Sequence, residues 1–187
     1  MSAELHNDIM QHLDKPVVLV GMMGVGKSHL GWLLAQALGL EFFDSDKSIE
    51  AKAGRSTSEI FEEFGEDKFR EAEHNTILEL LQHGPCVIAS GGGALTNAET
   101  LEALKDRSIM IWLDADLEVL WQRVQKSQHR PLLQTDNPRE TLQNLMDRRR
   151  AAYEQAHIHI ETSQDQSANT ADSLIKALYD FLNEDTV

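Results

Sequence analysis

Gly21-Met-Met-Gly-Val-Gly26-Lys27-Ser28 matches Gly-x-x-x-x-Gly-Lys-Ser/Thr in full. It constrains the fold more than any other feature, because the motif works only between a strand and a helix. Both flanks are present. Pro16 to Val20 is a β-branched apolar run, and Leu30 to Leu38 reads as a helix. Gly21, Gly24 and Gly26 let the backbone turn tightly and aim N–H groups inward at phosphate oxygens. The helix that starts there adds a partial positive charge. Lys27 has the reach for the β- and γ-phosphates, and the Ser28 hydroxyl suits Mg²⁺. Together these residues point to a bound nucleoside triphosphate.

Downstream, short apolar runs alternate with longer helical patterns, the signature of a parallel sheet covered by helices. The pattern predicts strands near 16–20, 41–44, 85–89, 108–113 and 157–161. It predicts helices over 27–38, 58–63, 66–82, 97–105, 116–125, 138–154 and 169–183. The fold class is therefore α/β, with three α/β/α layers around a five-stranded parallel sheet. A polar N-terminal extension, residues 1–15, precedes a single domain over 16–187, and its Ile9, Met10 and Leu13 suit a short helix packed on that domain. Residues 126–138 are polar, carry two prolines and join two helices, which suits a mobile lid as well as a solvated linker. The polar stretch around Gly54, within a substrate-binding segment of about 46–75, suits short helices beside the site.

Seventeen basic residues stand against 31 acidic ones, a net charge of −14. Such a surface repels nucleic acid and anionic lipid, and neither is expected as a partner. No apolar run approaches the roughly 18–20 residues of a membrane span, and residues 1–15 lack the apolar centre of a secretory signal. We expect a cytoplasmic monomer. Cys86, the sole cysteine, lies in an apolar run and reads as a buried hydrophobe. His157 and His159 alternate with Ile158 and Ile160, which fits a strand with one polar side better than a zinc site.

Further polar groups fall where an open α/β sheet binds ligands, at the carboxyl ends of strands. Asp44 and Asp46 are two residues apart, so on an extended chain both carboxylates face the same side. One then holds a magnesium water while the other orients or deprotonates a hydroxyl. The competing reading is a helix N-cap plus an exposed acid. Ser90-Gly91-Gly92-Gly93 permits close backbone approach to a ligand, or is simply a turn. Arg70 suits a carboxylate clamp, or a surface pair with Glu66 four residues back. Arg148-Arg149-Arg150 is a basic cluster in an acidic chain, and is also where a helix C-terminus attracts cations.

In this order the pieces resemble the shikimate kinases, within the nucleoside monophosphate kinase-like group of P-loop folds. The resemblance runs from about Pro16 to about Leu182. It rests on the glycine-rich loop, Asp44-x-Asp46, Phe64-x5-Arg70, Ser90 to Gly93, His129-Arg130-Pro131-Leu132-Leu133, and Arg149-x-x-x-Tyr153. It implies ATP and Mg²⁺, and transfer of the γ-phosphate to the 3-hydroxyl of shikimate. Matched by position, Lys27, Asp46 and Arg130 form the catalytic set, and Ser28 and Asp44 serve the metal. Gly24 to His29 hold the phosphates, with Arg123 along the adenine and Gln166 bordering it. Asp46, Arg70, Gly91, Gly92, Gly93 and Arg149 bind shikimate, with Arg148 the fallback for Arg149. Arg150-Ala151 replaces an Asn-Pro pair frequent in the family, and His29 stands where Thr is common. Another small-molecule kinase such as a gluconate kinase, or a non-catalytic nucleotide-binding protein, is the alternative. The paired arginines weigh against the first, and the complete motif set against the second.

Overall fold

A computed structural model of the chain describes residues 3–126, 131–162 and 167–184. Five parallel strands form one sheet in the order β2-β3-β1-β4-β5: β1 Val17–Val20, β2 Phe42–Asp44, β3 Val87–Ala89, β4 Ile109–Asp114 and β5 Ile158–Glu161. Burial explains the composition of each strand. β1, β3 and Ile109 to Leu113 of β4 are buried throughout, as central strands covered on both faces require. At the edge, β5 alternates, with Ile158 buried and His159 exposed. His159 stacks on Trp112, with ring centroids 4.2 Å apart.

Eight α-helices flank the sheet among the described residues: α1 Ala3–His12, α2 Lys27–Leu38, α3 Ser45–Ala53, α4 Thr57–Leu80, α5 Ala98–Arg107, α6 Leu117–Val124, α7 Pro138–Tyr153 and α8 Ser167–Glu184. α1 and α2 both pack on α8, while α4 packs on α5 and α6 on α7. Ile9 and Leu13 of the N-terminal segment are buried in the main core, beside Leu174 and Leu178. Cys86 belongs to the same core, where burial pushes its thiol up to about 11.

The two helices predicted over 58–63 and 66–82 are one element, α4, broken at Gly65. The break has φ 80° and ψ 171°, a conformation that only glycine adopts readily. A second small core of Ile49, Ile60 and Phe69 ties α3 to α4. That pair stands over the carboxyl ends of β2 and β3. The order of strands reverses at β1: the strand entered next, β2, lies two places to one side, and β4 lies on the other. The crevice at such a switch point is where doubly wound sheets bind ligands.

Candidate active site

The glycine-rich loop leaves the end of β1 and enters α2. Gly21 has φ 136°, and a side chain there would overlap the Leu113 carbonyl, so the loop can leave the sheet at this point only as glycine. Gly26 holds the N-cap position with φ 108°, no side chain caps α2, and its first turn carries no acid. The helix therefore presents backbone N–H groups with no carboxylate competing for them, which is an anion site. His29 lies in that first turn with its side chain exposed, so only its backbone faces the loop's task.

Lys27 is 8% exposed and folds back on the loop, donating to the carbonyls of Gly21 (2.8 Å) and Met22 (2.9 Å). Ser28 Oγ donates to Asp44 Oδ2 at 2.5 Å, joining the start of α2 to the end of β2. A hydroxyl and a carboxylate so paired are hard oxygen donors of the kind Mg²⁺ takes, and the ion needs few protein ligands when phosphates supply the rest. Arg123 on α6 donates to the carbonyls of Val25 (3.1 Å) and Gly24 (3.4 Å), which pins the loop from its far side.

Asp44 and Asp46 do not lie on an extended chain. β2 stops at Asp44 and α3 begins at Ser45. Asp44 is itself the N-cap, and its Oδ1 accepts from the N–H groups of Asp46 (3.1 Å) and Lys47 (3.2 Å). The same carboxylate thus caps α3 with one oxygen and reaches Ser28 with the other. Asp46, in the first turn of α3, is turned inward rather than exposed.

Asp46 lines a cavity of about 120 Å³ together with Arg70, Glu73, Gly91, Gly92, Gly93 and Arg149, walled on its apolar side by Phe61 and Phe69. Arg70 donates from Nη1 to Glu73 (2.7 Å) and from Nη2 to Glu66 (3.0 Å). The clamp and the Glu66 pair are therefore compatible. Arg149 is 6% exposed and donates to the Gly92 carbonyl at 2.9 Å, whereas Arg148 is exposed. The register of α7 thus puts Arg149, not Arg148, in the pocket. Arg150 turns outward over the Trp112 ring. Gly93 has an ordinary φ of −105°, yet a Cβ there would overlap the Arg70 guanidinium. Space, not backbone strain, demands that glycine.

Two carboxyl oxygens in this pocket, Asp46 Oδ1 and Glu73 Oε1, are buried with no hydrogen-bond partner. Buried acceptors of this kind are costly unless a ligand supplies donors. Burial, then the charges of Glu73 and Asp44, raises Asp46 to about 6. Glu73 is also raised by burial, against the pull of Arg70. A ligand that brings both a carboxylate for the arginines and hydroxyl donors for the two orphan oxygens satisfies every group.

Sequence reasoning missed Glu73. Its signal lies in the stripe Phe69, Glu73, Thr76, Ile77 and Leu80, all buried on one side of α4. A charged residue on a core-facing stripe is rarely fully buried without a partner. Arg130 and Gln166 lie outside the described residues, as does His129. Of the lid expected over 126–138, Lys126 and the residues from Pro131 on are described, and a short 3-10 turn, Pro131–Leu133, carries Leu132 to the cavity wall.

A P-loop at the switch point of a parallel sheet, beside a pocket built for a small acid, defines a P-loop kinase that acts on a small molecule. The family model for shikimate kinase matches residues 23–179. Shikimate kinases of Caulobacter vibrioides and Brucella canis are 44% and 46% identical over 164 residues, 88% of this chain and 82% of each relative. The solved shikimate kinase from Acinetobacter baumannii in complex with shikimate is 39% identical, with a TM-score of 0.86 over 90% of this chain and 95% of that one. A gluconokinase from Sinorhizobium meliloti shares the fold alone, at 15% identity and a TM-score of 0.56 over 94% of this chain and 99% of that one. The chain belongs to the shikimate kinase family.

Proposed function

We propose that this chain phosphorylates the 3-hydroxyl of shikimate with the γ-phosphate of ATP, giving shikimate 3-phosphate and ADP. One observation carries the reading. The cavity beside the nucleotide loop joins two guanidinium groups, the buried Arg149 and the part-buried Arg70, to two buried oxygens that lack donors, Asp46 Oδ1 and Glu73 Oε1. That set matches a rigid carboxylic acid bearing several hydroxyls.

In this reading Arg70 and Arg149 hold the carboxylate, since a planar guanidinium fork fits one. Asp46 accepts the hydrogen of the reacting hydroxyl. As the new O–P bond forms, the bond from phosphorus to the ADP oxygen breaks and the hydroxyl proton passes to Asp46. With its pKa near 6, Asp46 is mostly ionised at neutral pH and free to take it. Lys27 leaves the Gly21 and Met22 carbonyls for the phosphates, and α2 supplies N–H groups to them.

Ser28 and Asp44 would hold Mg²⁺, which when bound offsets charge on the ATP phosphates. The family resemblance assigns Arg130 to the lid over the phosphates, and Arg123 and Gln166 to the adenine. No helix among the described residues is long and apolar enough to cross a membrane. In this reading the enzyme works as a cytoplasmic monomer.

Release of ADP from Mg-ATP, followed with shikimate, gluconate or no acceptor, tests the reading. Stimulation by shikimate alone is expected. Equal rates with all three would overturn it.

A further inference from the structure

Tyr153 ends α7 and is 2% exposed. Its ring stacks on Trp112 of β4 at 6.0 Å between centroids. Its hydroxyl donates to the Gly92 carbonyl at 2.5 Å, the same oxygen that accepts from Arg149 at 2.9 Å. On its other side the hydroxyl lies 3.7 Å from Met22 Sδ, in the nucleotide loop. Gly92 itself leans on that loop, since a Cβ there would stand 3.2 Å from the Met23 nitrogen and 3.6 Å from the Gly21 carbonyl. Tyr153 therefore touches both substrate compartments at once.

A phenol has one proton and here two acceptors, a carbonyl and a thioether. The sulfur is the weaker acceptor, and its position depends on Met22. Lys27 holds that residue by its own carbonyl, at 2.9 Å, and holds the preceding carbonyl of Gly21 as well. A phosphate that draws Lys27 away removes both of those bonds, leaves the Met22 carbonyl to the longer 3.3 Å bond from the Val25 N–H, and so loosens Met22. The phenol proton is then committed to the Gly92 carbonyl, which fixes the glycine turn and the arginine bound to it.

We infer that Tyr153 is a positioning residue that couples nucleotide occupancy of the glycine-rich loop to acceptor affinity, through the Gly92 carbonyl and Met22. The inference rests on the shikimate kinase reading above. Coupling of this kind is reciprocal, so each ligand tightens the other by the same factor.

Calorimetric titration of shikimate into the full chain, with and without saturating Mg-ADP, reads the coupling directly. For the unaltered chain, ADP should tighten shikimate binding by about 5-fold or more, the lower end of ordinary coupling. Tyr153→Phe keeps the ring on Trp112 and leaves the Gly92 carbonyl its Arg149 donor, so the fold has no orphaned acceptor there. In that variant the ratio should fall to about 1, with the affinity for ADP alone unchanged. Met22→Leu removes only the sulfur. It should lower the ratio by raising shikimate affinity without nucleotide, because the phenol proton then has only the Gly92 carbonyl to bond, and it decides the matter if Tyr153→Phe does not fold. An unaltered ratio in these variants overturns the inference, as does a ratio of 1 in the natural chain. Failure of the natural chain to bind shikimate at all would instead overturn the functional reading, and the coupling with it.

Discussion

Arg70 and Glu73 stand three residues apart on α4 and meet at 2.7 Å in a pocket where the Glu73 side chain is 1% exposed and that of Arg70 17%. The acid holds the guanidinium from inside while Glu66 holds it from the solvent side. The fork is thus set before a ligand arrives, which limits the ordering that binding must impose.

Glu73→Gln keeps the shape but weakens that hold. A hydrogen bond to a charged group contributes about 1.5–3 kcal/mol, so KM for shikimate should rise roughly 10-fold with kcat little changed. Steady-state kinetics at fixed ATP would measure it. Arg70→Lys loses the fork altogether and should weaken shikimate binding by more than about 10-fold, with nucleotide affinity preserved. Calorimetry with each ligand separates the two effects.

Asp46 links activity to pH. Its carboxyl is raised from 3.8 to about 6, first by burial and then by Glu73 and Asp44. Turnover at saturating substrates should fall as pH drops through about 6, as the base becomes protonated, and hold level above it. A rate profile between pH 5 and 8 in Asp46→Asn should lack that limb and lie roughly 100-fold or more lower.

The same rise has an opposite sign for stability. The folded chain binds this proton more readily than the unfolded chain, so between pH 3.8 and about 6 this group favours folding less as pH climbs. Above that window the full cost of the buried charge is present, on the order of 2–3 kcal/mol. Asp46→Asn should therefore raise the melting temperature at pH 8 by about 5 °C while removing activity. Thermal denaturation should show a smaller gain at pH 5, inside that window, than at pH 8, and no gain below pH 3.8.

Gly93→Ala separates space from backbone strain. With φ at −105° the backbone accepts alanine, so the melting temperature should change by less than about 2 °C. The new methyl group displaces the Arg70 guanidinium, the movable end of a long side chain. KM for shikimate should rise roughly 10-fold, and KM for ATP should not. Kinetics with each substrate varied in turn would check both.

Ser28→Ala removes the hydroxyl that meets Asp44 at 2.5 Å. The Mg²⁺ concentration for half-maximal rate should rise about 10-fold, since a lost second-sphere or direct ligand typically costs that much. Titrating Mg²⁺ at fixed ATP reads the shift, and an unchanged midpoint would remove Ser28 from the metal site.

What the chain declares by itself is local. The glycine-rich loop is eight adjacent residues whose glycines, lysine and serine all act within one strand-turn-helix unit, so their roles follow from spacing. The five strands were legible because a sheet covered on both faces needs continuous apolar runs, and β1 and β4 have them. The acceptor pocket is different, because its groups come from α3, α4, the turn after β3 and α7. Whether Asp46 faces inward depends on β2 ending one residue before α3 begins, a boundary that spacing could not locate. Arg148, Arg149 and Arg150 are alike in chemistry, and though the resemblance picks Arg149 with Arg148 as its fallback, only the rotation of α7 against the sheet buries one and exposes two. Glu73 is an acid on an apolar stripe until Arg70 and Gly91 close around it. Local chemistry is set by neighbours along the chain; burial and the direction of a side chain are set by elements far apart in it, and those only packing decides.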